Sequence, residues 1–217
     1  MLRASAVAFI GFSAGLEARA DLIVGNLSGA GAIGMGMGPS TVRYASSFVL
    51  DPSFAPMTID AVRARFQARV HEASVRLWLF TDGGGVPSSE IISFTPSTVR
   101  IGDFAAYAFA PESPVVLQPD TAYWVVAGVE PGPLTIVRWS LAFSFPPARD
   151  AGSNPAAHIQ QVALGSDDSG STWRSMGGSP AAFAVEGTPV PGPGGAVALV
   201  AAGSLAGSIR RRLKSSD

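Results

Sequence analysis

The sequence predicts an all-β chain folded as an antiparallel β-sandwich of jelly-roll-like kind, and three observations lead there. Charged residues make up only 14% of the 217 residues while glycine reaches 25 and proline 17, a turn-rich balance that suits short strands better than a soluble helical bundle. Val62, Ala64, Phe66, Ala68 and Val70 alternate with Arg63, Arg65, Gln67 and Arg69, the period of two that buries one strand face and wets the other. Strand-like runs recur at roughly 10-residue spacing with turn signals between them. No heptad, helical repeat or solenoid period competes with this pattern.

Taken in order, residues 1–20 read as a helical secretory signal peptide. Arg3 supplies the charged start, residues 4–16 the apolar core, and Ala18, Arg19 and Ala20 the small-x-small cleavage site. Asp21 then opens the mature chain, and residues 21–187 form the sandwich domain. Residues 22–24 are its first strand. Residues 25–38 are almost wholly small residues and methionine, and read as a flexible, exposed loop. They contain G-x-G-x-x-G at Gly29, Gly31 and Gly34, but a dinucleotide site needs a helix opening on the last glycine, and Gly36, Gly38 and Pro39 forbid one.

Residues 44–50 form a strand turned by Asp51, Pro52 and Ser53. The alternating run at 62–70 follows, its arginines read as the solvated face of a sheet rather than a patch for anionic polysaccharide or phosphate. Val75, Leu77 and Leu79 face inward against Arg76, Trp78 and Phe80, and Asp82 opens a glycine-rich turn ending at Pro87. Short strands follow at 91–94 and 104–109. Residues 121–127 are apolar on both faces, which marks a central strand. Residues 134–141, 159–164 and 183–185 complete the strands, with a loop at 145–155 and a polar turn at 166–171.

Residues 188–217 read as a sorting tail. Val190, Pro191, Gly192 and Pro193 precede an apolar run at 196–209, and Arg210, Arg211 and Arg212 close it with Lys214 behind. At about 1.5 Å per residue the run makes a helix of roughly 21 Å, short of the roughly 30 Å hydrocarbon core. Alanine, glycine and serine outnumber its strong inserters, and the arginines belong on the cytoplasmic side. The tail resembles the PEP-CTERM sorting signals of Gram-negative-type bacteria, with Gly192 where the commonest form has Glu. The resemblance implies export by Sec-type machinery, then processing by an exosortase-type membrane transpeptidase.

Asn26 and Leu27, Ser46 to Phe48, the strand and turn from Leu77 to Pro87, Leu117 with Thr121 to Val126, and Asp168 to Trp173 together resemble the bacterial choice-of-anchor R domain. Ser169 stands where that family more often has glycine. The resemblance covers about residues 22–185 and implies a β-sandwich displayed at or beyond the outer surface, with no activity assigned.

The residues themselves offer little chemistry. A net charge of −1 gives no electrostatic case for nucleic acid. Without cysteine the chain has neither disulfides nor thiolate metal ligands, so its core must carry stability unaided. His71 and His158 lack metal-ligand spacing, and the carboxylates are singles beside turn residues. The G-x-S-x-G at Gly11, Ser13 and Gly15 lies in the signal-peptide core, and Gly177, Gly178 and Ser179 break off at Pro180. Asp167, Asp168 and Ser169 read as a capped turn, too poor in oxygen ligands for calcium.

No enzyme, cofactor or metal site is therefore expected. Trp124 and Trp139 are expected in the core. Trp78 and Trp173 are expected exposed, as a candidate ligand face for extracellular polysaccharide. The function expected is that of an exported, surface-sorted, non-enzymatic protein with a structural or adhesive role in the envelope or matrix; the alternative is a carbohydrate-binding module.

Overall fold

The computed structural model describes residues 20–38, 40–133, 135–143 and 149–191. The strands in chain order are β1 (Asp21–Gly25), β2 (Ala30–Met37), β3 (Arg43–Leu50), β4 (Met57–Ala68), β5 (Ala73–Asp82), β6 (Pro87–Ser93) and β7 (Ser97–Val99), then β8 (Ala105–Phe109), β9 (Val116–Leu117), β10 (Thr121–Val129), β11 (Val137–Ala142), β12 (Ala157–Ser166), β13 (Arg174–Ser175) and β14 (Phe183–Pro189). They form two antiparallel sheets, an all-β sandwich as the composition and periodicity predict. Sheet A runs β1-β14-β4-β11-β2 with β8 and β9 also on β4; sheet B runs β13-β12-β3-β10-β5-β6 with β7 also on β5. No helix among the described residues is long and apolar enough to cross a membrane. The signal-peptide segment up to Arg19, and Gly192, Pro193 and Arg210 to Arg212 of the tail, lie outside the described residues.

β4 is the spine of sheet A. Val62 pairs with both Val185 and Phe109, and Phe66 with both Trp139 and Ala105, so β14 and β11 share one edge while β8 takes the other. The predicted alternation holds for Val62, Ala64, Phe66 and Ala68, all at most 1% exposed. It starts earlier and ends sooner than expected. A register shift against Glu186 and Gly187 puts Ile59 on the same buried side as Val62, and Val70, past the strand end, is 54% exposed. The outward arginines have structural partners: Arg63 pairs with Glu186 at 2.8 Å, and Arg65 donates to the Ala30 and Phe104 carbonyls.

The glycine-rich stretch corrects the sequence reading. Instead of a loop it is the edge strand β2, with Met35 and Met37 buried at period two. Glycine is there for close approach: a Cβ on Gly34 would lie 2.3 Å from the Trp139 carbonyl oxygen, and one on Gly31 would meet the Phe143 ring at 2.6 Å. No helix opens on Gly34, so the glycine motif cradles no phosphate.

The core lies between the sheets. Phe48 of sheet B and Phe183 of sheet A meet with ring centroids 6.2 Å apart, and Phe66 packs on Trp139 at 5.6 Å. Trp139 is fully buried, and its Nε1 donates to the Ala182 carbonyl at 3.0 Å. Buried Ser46 and Ser47 satisfy the irregular stretch of β12, donating to the Val162 carbonyl and Gln160 Oε1. Asn26, 0% exposed, ties β1 to the entry of β14. Its Nδ2 donates to the Ala181 carbonyl at 3.0 Å and its Oδ1 accepts from the Phe183 N–H at 2.8 Å.

Register fixes the two ends of the sandwich. Asp21 pairs with Gly187 and Pro189 with Met57, while Leu50, which leads into β4, pairs with Thr121 and Ala157. These ends make one pole, where β1 starts and β14 stops. At the opposite pole Met37, Val137 and Ala68 lie in register, as do Arg43, Gly128 and Ser166. β14 runs two residues past the expected domain end, into Thr188 and Pro189.

Asn26→Ala should cost roughly 2–4 kcal/mol, because it leaves one buried acceptor and one buried donor unpaired. Urea unfolding measures this, and a loss under about 1 kcal/mol would remove the clamp's importance.

Candidate functional site

The aromatic residues expected at a ligand face gather on the outer side of sheet B. β10 has no polar face: Tyr123, Val125, Ala127 and Val129 point into the core, and Trp124 and Val126 point outward. Trp124 is thus buried as expected, at 1% exposure, but in a second cluster on the outer face with Ala45, Val126 and Leu164. Its Nε1 donates to Asp82 Oδ1 at 2.7 Å. Asp82 also accepts the backbone N–H groups of Gly84 and Gly85, as the predicted turn requires. Burial raises its pKa, and the bonds from Trp124, Gly85 and Gly84 outweigh that and hold it below the ordinary value.

Trp78 and Trp173 both pack on this cluster, half-buried rather than exposed. Trp78 lies against the bare backbone of Gly128, where a Cβ would come within 3.0 Å of its Cζ3. The Arg43 guanidinium caps the ring at 4.4 Å from its centroid, a cation–π stack that sequence reasoning missed. Only the register Arg43↔Gly128 beside Trp78↔Val126 brings them together. Burial lowers the Arg43 pKa, with Glu90 and Glu130 acting against it. A Cβ on Gly170 would lie 3.3 Å from Trp173 Cζ2 and 3.5 Å from Arg43 Nη1, so that glycine joins the two aromatic groups.

Trp173 rises from the turn after β12, which the sequence reads correctly as capped. Asp168 Oδ1 accepts from Ser166 Oγ at 2.7 Å and from the Thr172 N–H at 2.9 Å, and Oδ2 accepts from Thr172 Oγ1 at 2.6 Å. Ser166 Oγ in turn accepts the Gly170 N–H at 2.8 Å. These donors, the Thr172 hydroxyl first, hold the Asp168 carboxyl down to about 2. Ser169 takes φ +61°, the left-handed region that glycine adopts without cost. Beside this turn is a surface depression of ≈ 180 Å³, lined by Ser166, Asp167, Asp168, Thr172, Trp173 and Arg174 over Gly165. Asp167 and Arg174 pair across 2.7 Å, both more than half exposed.

The other candidates fall elsewhere. His158 Nε2 sits 3.0 Å from Asp51 Oδ2 at the pole of Leu50, remote from the depression, and His71 engages Thr135 through its backbone. Among the described residues no three His, Asp or Glu side chains gather as a metal set would. The arrangement offers an aromatic surface, a fixed polar turn and one exposed ion pair: equipment for recognition through stacking and hydrogen bonds.

No family model and no curated protein matches the chain. Solved structures do. The chain is similar to the clostridial cysteine protease Cwp84 after propeptide cleavage, at 11% identity and a TM-score of 0.44, covering 72% of this chain and 38% of that one. It is also similar to the cysteine protease and lectin-like domains of Cwp84, a surface layer associated protein of Clostridium difficile, at 12% identity and a TM-score of 0.42, covering 69% and 33%. The chain therefore spans about a third of the length of the solved chains it matches. The expectation that the protein is not an enzyme is corrected by these matches, which are to chains of a cysteine protease. The chain itself has no cysteine to supply a thiolate.

Asp168 is depressed in the folded state, so its contribution to stability is present above the unfolded value of about 3.9 and is lost as pH falls toward about 2. The melting-temperature gap between wild type and Asp168→Asn should be open at pH 6, narrow below about pH 4 and close near pH 2; a gap independent of pH would refute the assignment. Ser169→Gly should be stabilising by roughly 0.5–1 kcal/mol, since it relieves the left-handed backbone. A lowered melting temperature would count against that strain.

Proposed function

We propose that this is an exported β-sandwich protein, sorted to the cell surface or beyond through its PEP-CTERM-like tail, with a structural or adhesive role in the envelope or extracellular matrix. The observation that supports it is the shared pole: β1 begins at Asp21, directly after the expected cleavage site, and β14 ends at Pro189, directly before the Val190 and Pro191 motif. Both expected processing sites thus border the folded strands at one end. The Trp78, Arg43 and Trp173 face lies toward the opposite end, the side that an attached tail would turn outward. Sec-type export machinery and an exosortase-type transpeptidase are the partners this reading requires.

A second reading, carbohydrate binding to extracellular polysaccharide, is favoured by the gathering of Trp78 and Trp173 on one sheet face beside a polar depression. Aromatic faces stack on the apolar faces of sugar rings while hydrogen-bonding groups at the edge select hydroxyls.

Intact-mass measurement of the protein recovered from its native host tests the sorting reading. The expected product begins at Asp21 and has lost the residues following the motif near Pro193. Recovery with both ends intact would overturn the reading.

A further inference from the structure

Resting on the carbohydrate reading, we propose that the depression at Ser166 to Arg174 is a recognition site for a single neutral sugar ring bearing adjacent hydroxyls. Its walls are already set. Asp168, Ser166 and Thr172 spend their polar atoms on one another, and the Ser169 N–H donates to the Thr41 carbonyl at 2.8 Å, so binding need not order the turn. Asp167 and Arg174 are the exposed groups left with capacity, and the buried Trp173 Nε1 also lacks a partner among the described residues. Their contact uses Asp167 Oδ2 and one Arg174 nitrogen, leaving Oδ1 and further guanidinium N–H groups without partners among the described residues. A free acceptor beside free donors matches neighbouring hydroxyls, each of which both donates and accepts.

Charge and size narrow the ligand. The carboxylates of Asp167 and Asp168 are balanced by the guanidinium groups of Arg174 and Arg43, the latter reaching Gly170. A balanced site favours neither anions nor cations, and both Asp168 oxygens are already occupied by hydrogen donors, which disfavours a metal ion. At ≈ 180 Å³ the depression is smaller than the roughly 300–1,000 Å³ of ordinary ligand pockets, so it suits one ring, with Trp173 as its apolar wall.

The test is titration of the full chain with a panel of neutral oligosaccharides and an acidic uronate oligomer, repeated for Arg174→Ala, Asp167→Ala and Trp78→Ala. The two exposed ion-pair positions tolerate substitution with little effect on folding. The expected result is binding of a neutral oligosaccharide that weakens roughly tenfold or more in R174A and D167A, about the worth of a charge-assisted hydrogen bond, and by less than about threefold in W78A. Binding that persists in R174A and D167A but is lost in W78A would overturn this site while leaving the carbohydrate reading standing. Preference for the uronate oligomer would overturn the neutral assignment. Failure of the whole panel to bind would overturn both.

Discussion

A strand with no polar side governs this molecule. β10 turns Tyr123, Val125 and Ala127 toward one layer of side chains and Trp124 and Val126 toward another. A sandwich ordinarily leaves the outer face of each sheet to water, so Trp124 demands cover that a two-layer fold does not supply. Here the cover comes from Trp78 and Phe80 on β5, from the bulged part of β12 and from Trp173 in the turn beyond it. The ordering of the 166–174 turn and the position of Arg43 over Trp78 both answer that one requirement.

The same cluster holds the large rings in place. The Trp124 indole is held by Asp82, the Trp78 ring by the bare backbone of Gly128, and the Trp173 ring against Gly170. Small residues form the floor and large rings lean over them. The remaining exposure of those rings is what the buried layer leaves over, and it comes with little freedom to rearrange.

Much of the fold was legible because its strands obey elementary periodicity. β5 and the later part of β4 announce their buried faces residue by residue, and the apolar run at 121–127 announces a central strand. β2 was not legible, since the six glycines from Gly25 to Gly38 carry no hydrophobic signal; Ile33, Met35 and Met37 hint at a period of two, yet Ile33 is exposed, and the close approach to Trp139 is a tertiary fact. Val70 misled because alternation in sequence outlasts pairing in space. The site was half legible: Trp78 and Trp173 were singled out and the Asp168 turn was read correctly. Arg43 was passed over, because a lone arginine at the head of a strand reveals nothing until register sets it across from Gly128. The core role of Asn26 was equally hidden, its partners lying more than 150 residues away.

The antiparallel seam of β14 with β1 and β4 has a mechanical consequence. A pull between Pro189 and the far pole runs along the strands, so the hydrogen bonds joining β14 to β4 between Phe183 and Pro189 are loaded together in shear instead of being unzipped one after another. Such a seam yields only when the whole row slips at once, with the Asn26 side chain bracing its inner end. The sandwich therefore resists a pull along its strands better than one that would peel β14 from β4 residue by residue.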